Sequence, residues 1–200
     1  MASKAKGPMK LQFRPLTSAR WPDLVKLFGE RGACGGCWCM WWRMKRAAFK
    51  ESKGQKNKNA FKKIVESGEV PGIIAYADGE PVGWCALAPR QNYPLLENSH
   101  VLARIDEEPV WSITCFFVAK PYRGKGVTGQ LAKAAVDYAR RQGARILEGY
   151  PVEPKKGRMP DPFVYTGLVS TFRVAGFEEA LRRSETRPIM RFSIGSRKHR

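Results

Sequence analysis

A chain of 200 residues, 43% hydrophobic and 27% charged, has the apolar content for one domain with its own core, which excludes a disordered or low-complexity polymer. Lys plus Arg number 36 against 18 Asp plus Glu, and a net charge of +18 favours anionic partners: a phosphorylated cofactor, nucleic acid or an acidic membrane surface. No run reaches the length of a membrane span, MASKAKGPMK holds no apolar signal core, and five cysteines without a secretory leader do not make a disulfide framework, so a soluble cytoplasmic protein is expected.

Residues 1–8 read as a disordered basic arm, 9–194 as one domain and 195–200 as a basic tail. MKLQFRPLT alternates and predicts a first strand. SARWPDLVKLFGERG predicts a helix whose apolar face is Trp21, Leu24, Val25, Leu27 and Phe28, with Gly32 following its end. GACGGCWCMWWR, residues 32–43, then packs three cysteines and three tryptophans into a dozen positions. From Arg43 to Lys63 there are nine basic residues and one acid, Glu51, and this run reads either as a solvated face or as a surface for an anion. KNAFKKIVESG predicts a short helix with Phe61 and Ile64 inward and Gly68 closing it. GIIAYADGEPVGWCALAP predicts a hairpin turning at DGEP. A looser stretch, 90–109, carries a short helix near Tyr93 to Asn98.

VWSITCFFVA is apolar, β-branched and aromatic, the pattern of a strand buried on both faces. After KPYRGKG, the stripe Leu131, Ala134, Ala135, Tyr138 and Ala139 predicts a strong helix ended by Gly143. RILEGYPV predicts the next strand, FVYTGLVSTFRVAG a helix, FEEALRR a bent strand and RPIMRFSI a last strand. The strand before the long helix and the strand after it form a parallel βαβ unit, and the whole predicts a mixed α/β sheet flanked by helices.

YRGKGVTGQL falls between a buried strand and a helix start, where backbone N–H groups lack partners and the helix dipole favours an anion. Gly124 and Gly126 admit a phosphate close to the backbone, and Arg123 and Lys125 add charge, so diphosphate binding is expected. A P-loop would need GxxxxGK[ST], which is absent. Gly124, Gly126 and Gly129 fit the spacing GxGxxG, but the unit comes late in the chain and has no acid about 20 positions on, Glu148 apart, to hold a ribose.

On these residues the chain resembles the GNAT superfamily of acyl-CoA-dependent N-acyltransferases, whose phosphate loop reads [QR]-x-x-G-x-[GA]. Arg123, Gly126 and Thr128 stand at those places, the last departing from Gly or Ala. The likeness runs from about residue 9 to 194 and is densest in 111–177, where FRVAGFEE resembles the family's later helix-to-strand joint. It implies a GNAT-like sheet with splayed central parallel strands and acetyl-CoA as donor, its pantetheine lying along Phe116, Phe117 and Val118. The diphosphate would rest on Arg123, Gly124, Lys125, Gly126, Val127 and Thr128. Gly149 and Pro151 suit a strand that splays away.

Acyl transfer to an amine asks for a base, an oxyanion donor and an acid for the thiolate. The resemblance puts the oxyanion N–H at Val118. Glu148 is the first choice as base and the acidic cluster 106–108 the second, against plain readings as a salt bridge and a solvated loop. The family's usual tyrosine acid falls at Phe172; Ser170 or Thr171 could serve instead, and Tyr165, about two turns earlier, is too far.

The segment 32–43 offers three thiolates at irregular spacing where zinc takes four ligands, with His100 the one distant candidate, so no metal site is expected. Cys37, Trp38, Cys39, Trp41, Trp42 and Tyr150 are instead expected to wall an acceptor pocket, with core packing as the plainer reading, and Cys115 is expected in the core. The partners implied are acyl-CoA and an amine acceptor, with no membrane. The alternatives are a nucleic-acid-associated basic protein, disfavoured because only Phe49 and Phe61 interleave the basic run, and a zinc or thiol sensor.

Overall fold

The computed structural model describes residues 9–155, 157 and 159–195; the basic arm expected at 1–8 and all but the first residue of the tail expected at 195–200 lie outside them. Seven strands form one sheet: β1 Leu11–Pro15, β2 Gly72–Ala77, β3 Glu80–Pro89, β4 Trp111–Val118, β5 Ile146–Gly149, β6 Glu178–Arg182 and β7 Pro188–Ser193. Their order is β1-β2-β3-β4-β5-β7-β6, antiparallel throughout except for the β4–β5 pair. The β2–β3 hairpin turns at Asp78 and Gly79, both at positive φ, as an Asp-Gly turn demands.

Helices cover both faces. The long helix α5 (Val127–Arg141) buries Val127, Leu131, Ala132, Ala135, Val136 and Ala139 against Ile73, Ala75, Cys85 and Ile113. On the other face α1 (Trp21–Phe28) and α3 (Gln55–Glu66) set Trp21, Leu24, Phe28, Phe61 and Val65 against Ile74, Trp84 and Ala86. A short helix unforeseen from the sequence, α2 (Arg46–Glu51), links that face to the cysteine segment through Phe49. The predicted helix near 93–98 is α4 (Pro94–Glu97), which caps a third cluster with Tyr93, Leu96, Leu102, Tyr150 and Ile189.

Two expectations are corrected. The helix read over 163–176 shortens to α6 (Val169–Val174), preceded by a tight turn at Asp161–Phe163. Gly167 at φ +90 breaks the run, and Val152 pairs with Leu168. Likewise the helix read over 18–32 is α only from Trp21 to Phe28, because Pro22 opens it and Gly29 at φ +62 ends it.

The splay foreseen between the central strands is present, and a bulge explains it. Ala86 faces Cys115 and Leu87 faces Ile113, so Thr114 is an extra residue on β4. The β4–β5 ladder then stops after Trp111↔Leu147, Ser112↔Glu148 and Ile113↔Gly149. Beyond it, the segment before α6 fills part of the gap. Phe116 N–H donates to the Tyr165 carbonyl at 2.6 Å, and Val152 N–H donates to the Gly167 carbonyl at 2.9 Å.

Candidate active site

At one end of the splay lies the glycine loop. Gly124 and Gly126 both sit at φ +74, a conformation glycine adopts without strain, and a Cβ at Gly126 would meet nothing within 4 Å. No side chain therefore covers the backbone at these two glycines. Gly126 is the residue before α5 and no side chain caps that helix, so its first amides are open to an outside acceptor. Arg123 donates from Nε to the Val118 carbonyl at 2.9 Å and from Nη1 to Asp161 Oδ2 at 2.7 Å. Lys125 lies over the Tyr122 ring at 5.5 Å. Val127 is buried and offers only its backbone, and Thr128 is half-buried. The loop thus presents glycine-permitted amides, a helix start and two cations, which suits a diphosphate.

Along β4, Phe116 turns into the α5 core against Phe172, with ring centroids 5.9 Å apart. Phe117 turns the other way, onto Phe28 at 5.6 Å. The Phe116 N–H is aimed into the splay, as its bond to Tyr165 shows, and backbone alternation puts the Val118 N–H on the same edge. Phe172, at the place of the resemblance's acid, is fully buried, and its ring lies where a Cβ on Gly149 would meet Cε1 at 2.0 Å.

The cysteine-tryptophan segment divides. Trp38 is 3% exposed, packed between Trp21 and Phe28, and Cys39 is buried as well, so neither walls an open pocket as expected. Both hold positive φ, a strained pair that the surrounding core keeps in place. Trp42 joins the α4 cluster. Cys37 and Trp41 are half-buried and, like Cys115 and Phe117, pack against the core under α1 and α3. Cys115, read as core, is half-buried in the splayed part of β4. The thiol of Cys37 is pushed up to about 11, by burial first and by the neighbouring Cys115 second. Among the described residues no cluster of His, Cys, Asp or Glu is arranged to hold a metal ion.

Tyr165, set aside on the sequence as too distant, is brought into this group. Its carbonyl accepts from the Phe116 N–H at 2.6 Å, and Cys115, Arg187, Trp41 and Cys37 act electrostatically on its phenol. Burial above all, then Cys115, pushes the phenol up to about 12, which keeps it protonated.

Glu148 and Tyr150 stand differently from their expected roles. Glu148 is 1% exposed, and both its oxygens are taken. Oε2 accepts from Tyr150 Oη at 2.8 Å and from Arg90 Nη1 at 3.3 Å, and Oε1 accepts from Arg191 Nε at 2.8 Å. Tyr150 Oη also accepts from Arg90 Nη1 at 2.9 Å and shares a hydrogen bond with Ser112 Oγ at 2.8 Å. Three of the carboxylate's four acceptor sites are filled, two guanidinium groups neutralise it and its burial leaves no path for an amine, so its place is that of a buried ion-pair partner. Asp106, in the second-choice cluster, is paired with Arg191 at 2.6 and 3.0 Å. Tyr150, fully buried in this knot, is no part of an open wall.

Comparison with known proteins places this geometry. A profile of the acetyltransferase (GNAT) family matches residues 38–153, more than half of the chain. An uncharacterised N-acetyltransferase of Methanocaldococcus jannaschii is 25% identical over 119 residues, which is 60% of this chain and 44% of the relative, so the match spans under half of that protein. Among solved structures, the PaiA N-acetyltransferase of Thermoplasma acidophilum in complex with coenzyme A aligns with a TM-score of 0.52 at 15% identity, over 93% of this chain and all of the other. A ribosomal-protein-alanine N-acetyltransferase of Brucella melitensis aligns with a TM-score of 0.50 at 16% identity, over 92% and 99%. The structural likenesses concern the fold, and the profile match extends it to lineage: the chain belongs to the acetyltransferase (GNAT) family.

Proposed function

We propose that the protein transfers an acyl group, acetyl in the first instance, from acyl-CoA to an amine. The observation that carries this reading is the bulge-induced splay of β4 from β5, ending at an uncapped helix start behind a glycine loop. The donor would supply an activated thioester at one end and a diphosphate at the other. Amides from Arg123 to Thr128 hold the diphosphate. The strand edge bearing the Phe116 and Val118 N–H groups lies along the pantetheine and donates to the oxyanion that develops at the carbonyl. Tyr165, whose phenol is protonated at neutral pH and whose carbonyl sits on the Phe116 amide, gives its proton to the departing thiolate, in place of the residue that Phe172 cannot be. Cys37 and Trp41 line the side from which the amine enters.

Calorimetry with acetyl-CoA tests the donor site. Wild type binds, and Gly126→Val, whose side chain cannot hold φ +74 without strain, binds at least about tenfold more weakly, ~1.4 kcal/mol. Gly126→Ala, at matched melting temperature, shows the same direction. Equal affinity in wild type and both variants would remove the loop from the donor site, and no binding by wild type would end the acyltransferase reading.

A further inference from the structure

The amine side of the splay holds an arginine without an acid. Arg187 precedes β7 and is half-buried. Among the described residues its guanidinium makes one hydrogen bond, Nη1 to Oγ1 of Thr166, the neighbour of Tyr165, at 3.4 Å. The other inward arginines of this region are matched. Arg43 pairs with Glu69, Arg90 with Glu97 and Glu148, and Arg191 with Glu148 and Asp106. Among the described residues no carboxylate lies within ion-pair distance of Arg187.

A cation drawn out of water without a counter-charge costs stability. Burial depresses the Arg187 pKa, the cost expressed as a weakened hold on the proton. Proteins keep such a group where an outside anion completes it. The position fits an acceptor. Thr166, which Arg187 bonds, is the neighbour of Tyr165, whose carbonyl holds the Phe116 amide where β4 has parted from β5. The donor loop has its own cations, Arg123, bonded to the Val118 carbonyl, and Lys125, over the Tyr122 ring. A guanidinium presents a planar fork that matches a carboxylate or a phosphate with two parallel hydrogen bonds.

We propose that Arg187 recognises an oxyanionic group, carboxylate or phosphate, carried by the acceptor amine. This rests on the acyltransferase reading and narrows its acceptor to amines that bear an anion close to the reacting nitrogen. Thr166 orients the fork, and Tyr165 marks the boundary between the anion subsite and the acyl group.

The test uses saturating acetyl-CoA and matched pairs of amines that differ only in the anion: α-amino acids against their carboxamides, and phosphoethanolamine against ethanolamine. Wild type favours the anionic member by about tenfold or more in kcat/KM, and the pair with the larger ratio identifies the anion. Arg187→Gln removes the preference through KM, Arg187→Lys keeps part of it, and acetyl-CoA affinity by calorimetry is unchanged in both. Melting temperature does not fall in Arg187→Gln, since an unmatched cation has been removed. Equal rates on both members in wild type, or an Arg187→Gln that slows both members alike, would overturn the proposal while leaving the acyltransferase reading standing. A loss of acetyl-CoA affinity in Arg187→Gln would assign the arginine to the donor and overturn it too. Wild type that binds no acetyl-CoA would overturn the acyltransferase reading itself, and this proposal with it.

Discussion

Cys34 and Cys37 are three positions apart and meet opposite fates. Cys34 is exposed, whereas the Cys37 thiol donates to the Gly32 carbonyl at 3.4 Å and is pushed up to about 11 from an ordinary value of 9.0. A disulfide reagent at pH 8 should therefore modify Cys34 at once and leave Cys37, Cys39 and Cys85 slow, since the thiolate is the reactive form. Four fast thiols would contradict the packing. The same shift sets a stability limit. The folded pKa lies above the unfolded one, so the protonated thiol's contribution is whole below about pH 9 and is lost as pH climbs through 11. Melting temperature followed from pH 8 to 11 should decline, and Cys37→Ser should flatten part of that decline. Tyr165→Phe keeps the carbonyl on Phe116 and deletes only the proton, so kcat should drop on the order of 10²-fold with acetyl-CoA affinity intact. An unchanged kcat would show that the thiolate leaves unprotonated.

At the scale of elements, the strand, glycine loop and helix from 111 to 141 are legible because one signal dominates each: an apolar β-branched run, two glycines at a helix start, and an apolar stripe of helical period. The splay is half legible. Gly149 and Pro151 announce a weakened strand, while the bulge at Thr114 follows from pairing with β3 and has no mark of its own. The segment 163–168 misleads because Phe163, Val164 and Leu168 sit at helical spacing, yet Val152 captures Leu168 in a bridge, and local propensity gives way to a tertiary contact. Glu148 misleads for a different reason. Its partners Arg90 and Arg191 lie 58 and 43 residues away, and a motif cannot show that a carboxylate is already claimed. Glu148→Gln should then act on stability, costing roughly 3 kcal/mol by stranding buried guanidinium charge, and denaturant unfolding reads it directly. A variant that unfolds like wild type but has lost its turnover would restore Glu148 as the base. Gly149→Ala is a second probe of the same joint: the added methyl meets Phe172 at 2.0 Å and should cost about 1–3 kcal/mol.

At the scale of the molecule, the basic run is mostly exposed. Lys45, Arg46, Lys50, Lys53, Lys56, Lys62 and Lys63 are exposed on α2, α3 and their joint, while Arg43 turns inward to Glu69 and Lys58 covers Trp38. No helix among the described residues is long and apolar enough to cross a membrane. Binding to mixed RNA should be weak and fall steeply with salt; retention near 0.2 M that disappears on charge reversal of Lys56, Lys62 and Lys63 would mark this face as a nucleic-acid surface. The groove carries a kinetic consequence. With its carbonyl on the Phe116 amide and Asp161 on Arg123, the segment 161–167 holds two points that the donor must take. Arrival of acetyl-CoA is then an exchange of partners, and the measured affinity is discounted by the fraction of molecules in which those two bonds are open. In stopped flow the observed rate should level off as acetyl-CoA rises, at a ceiling set by the opening of those two bonds, and Asp161→Asn should lift that ceiling; a rate that stays proportional to acetyl-CoA throughout would mean that the two bonds never stand in the way.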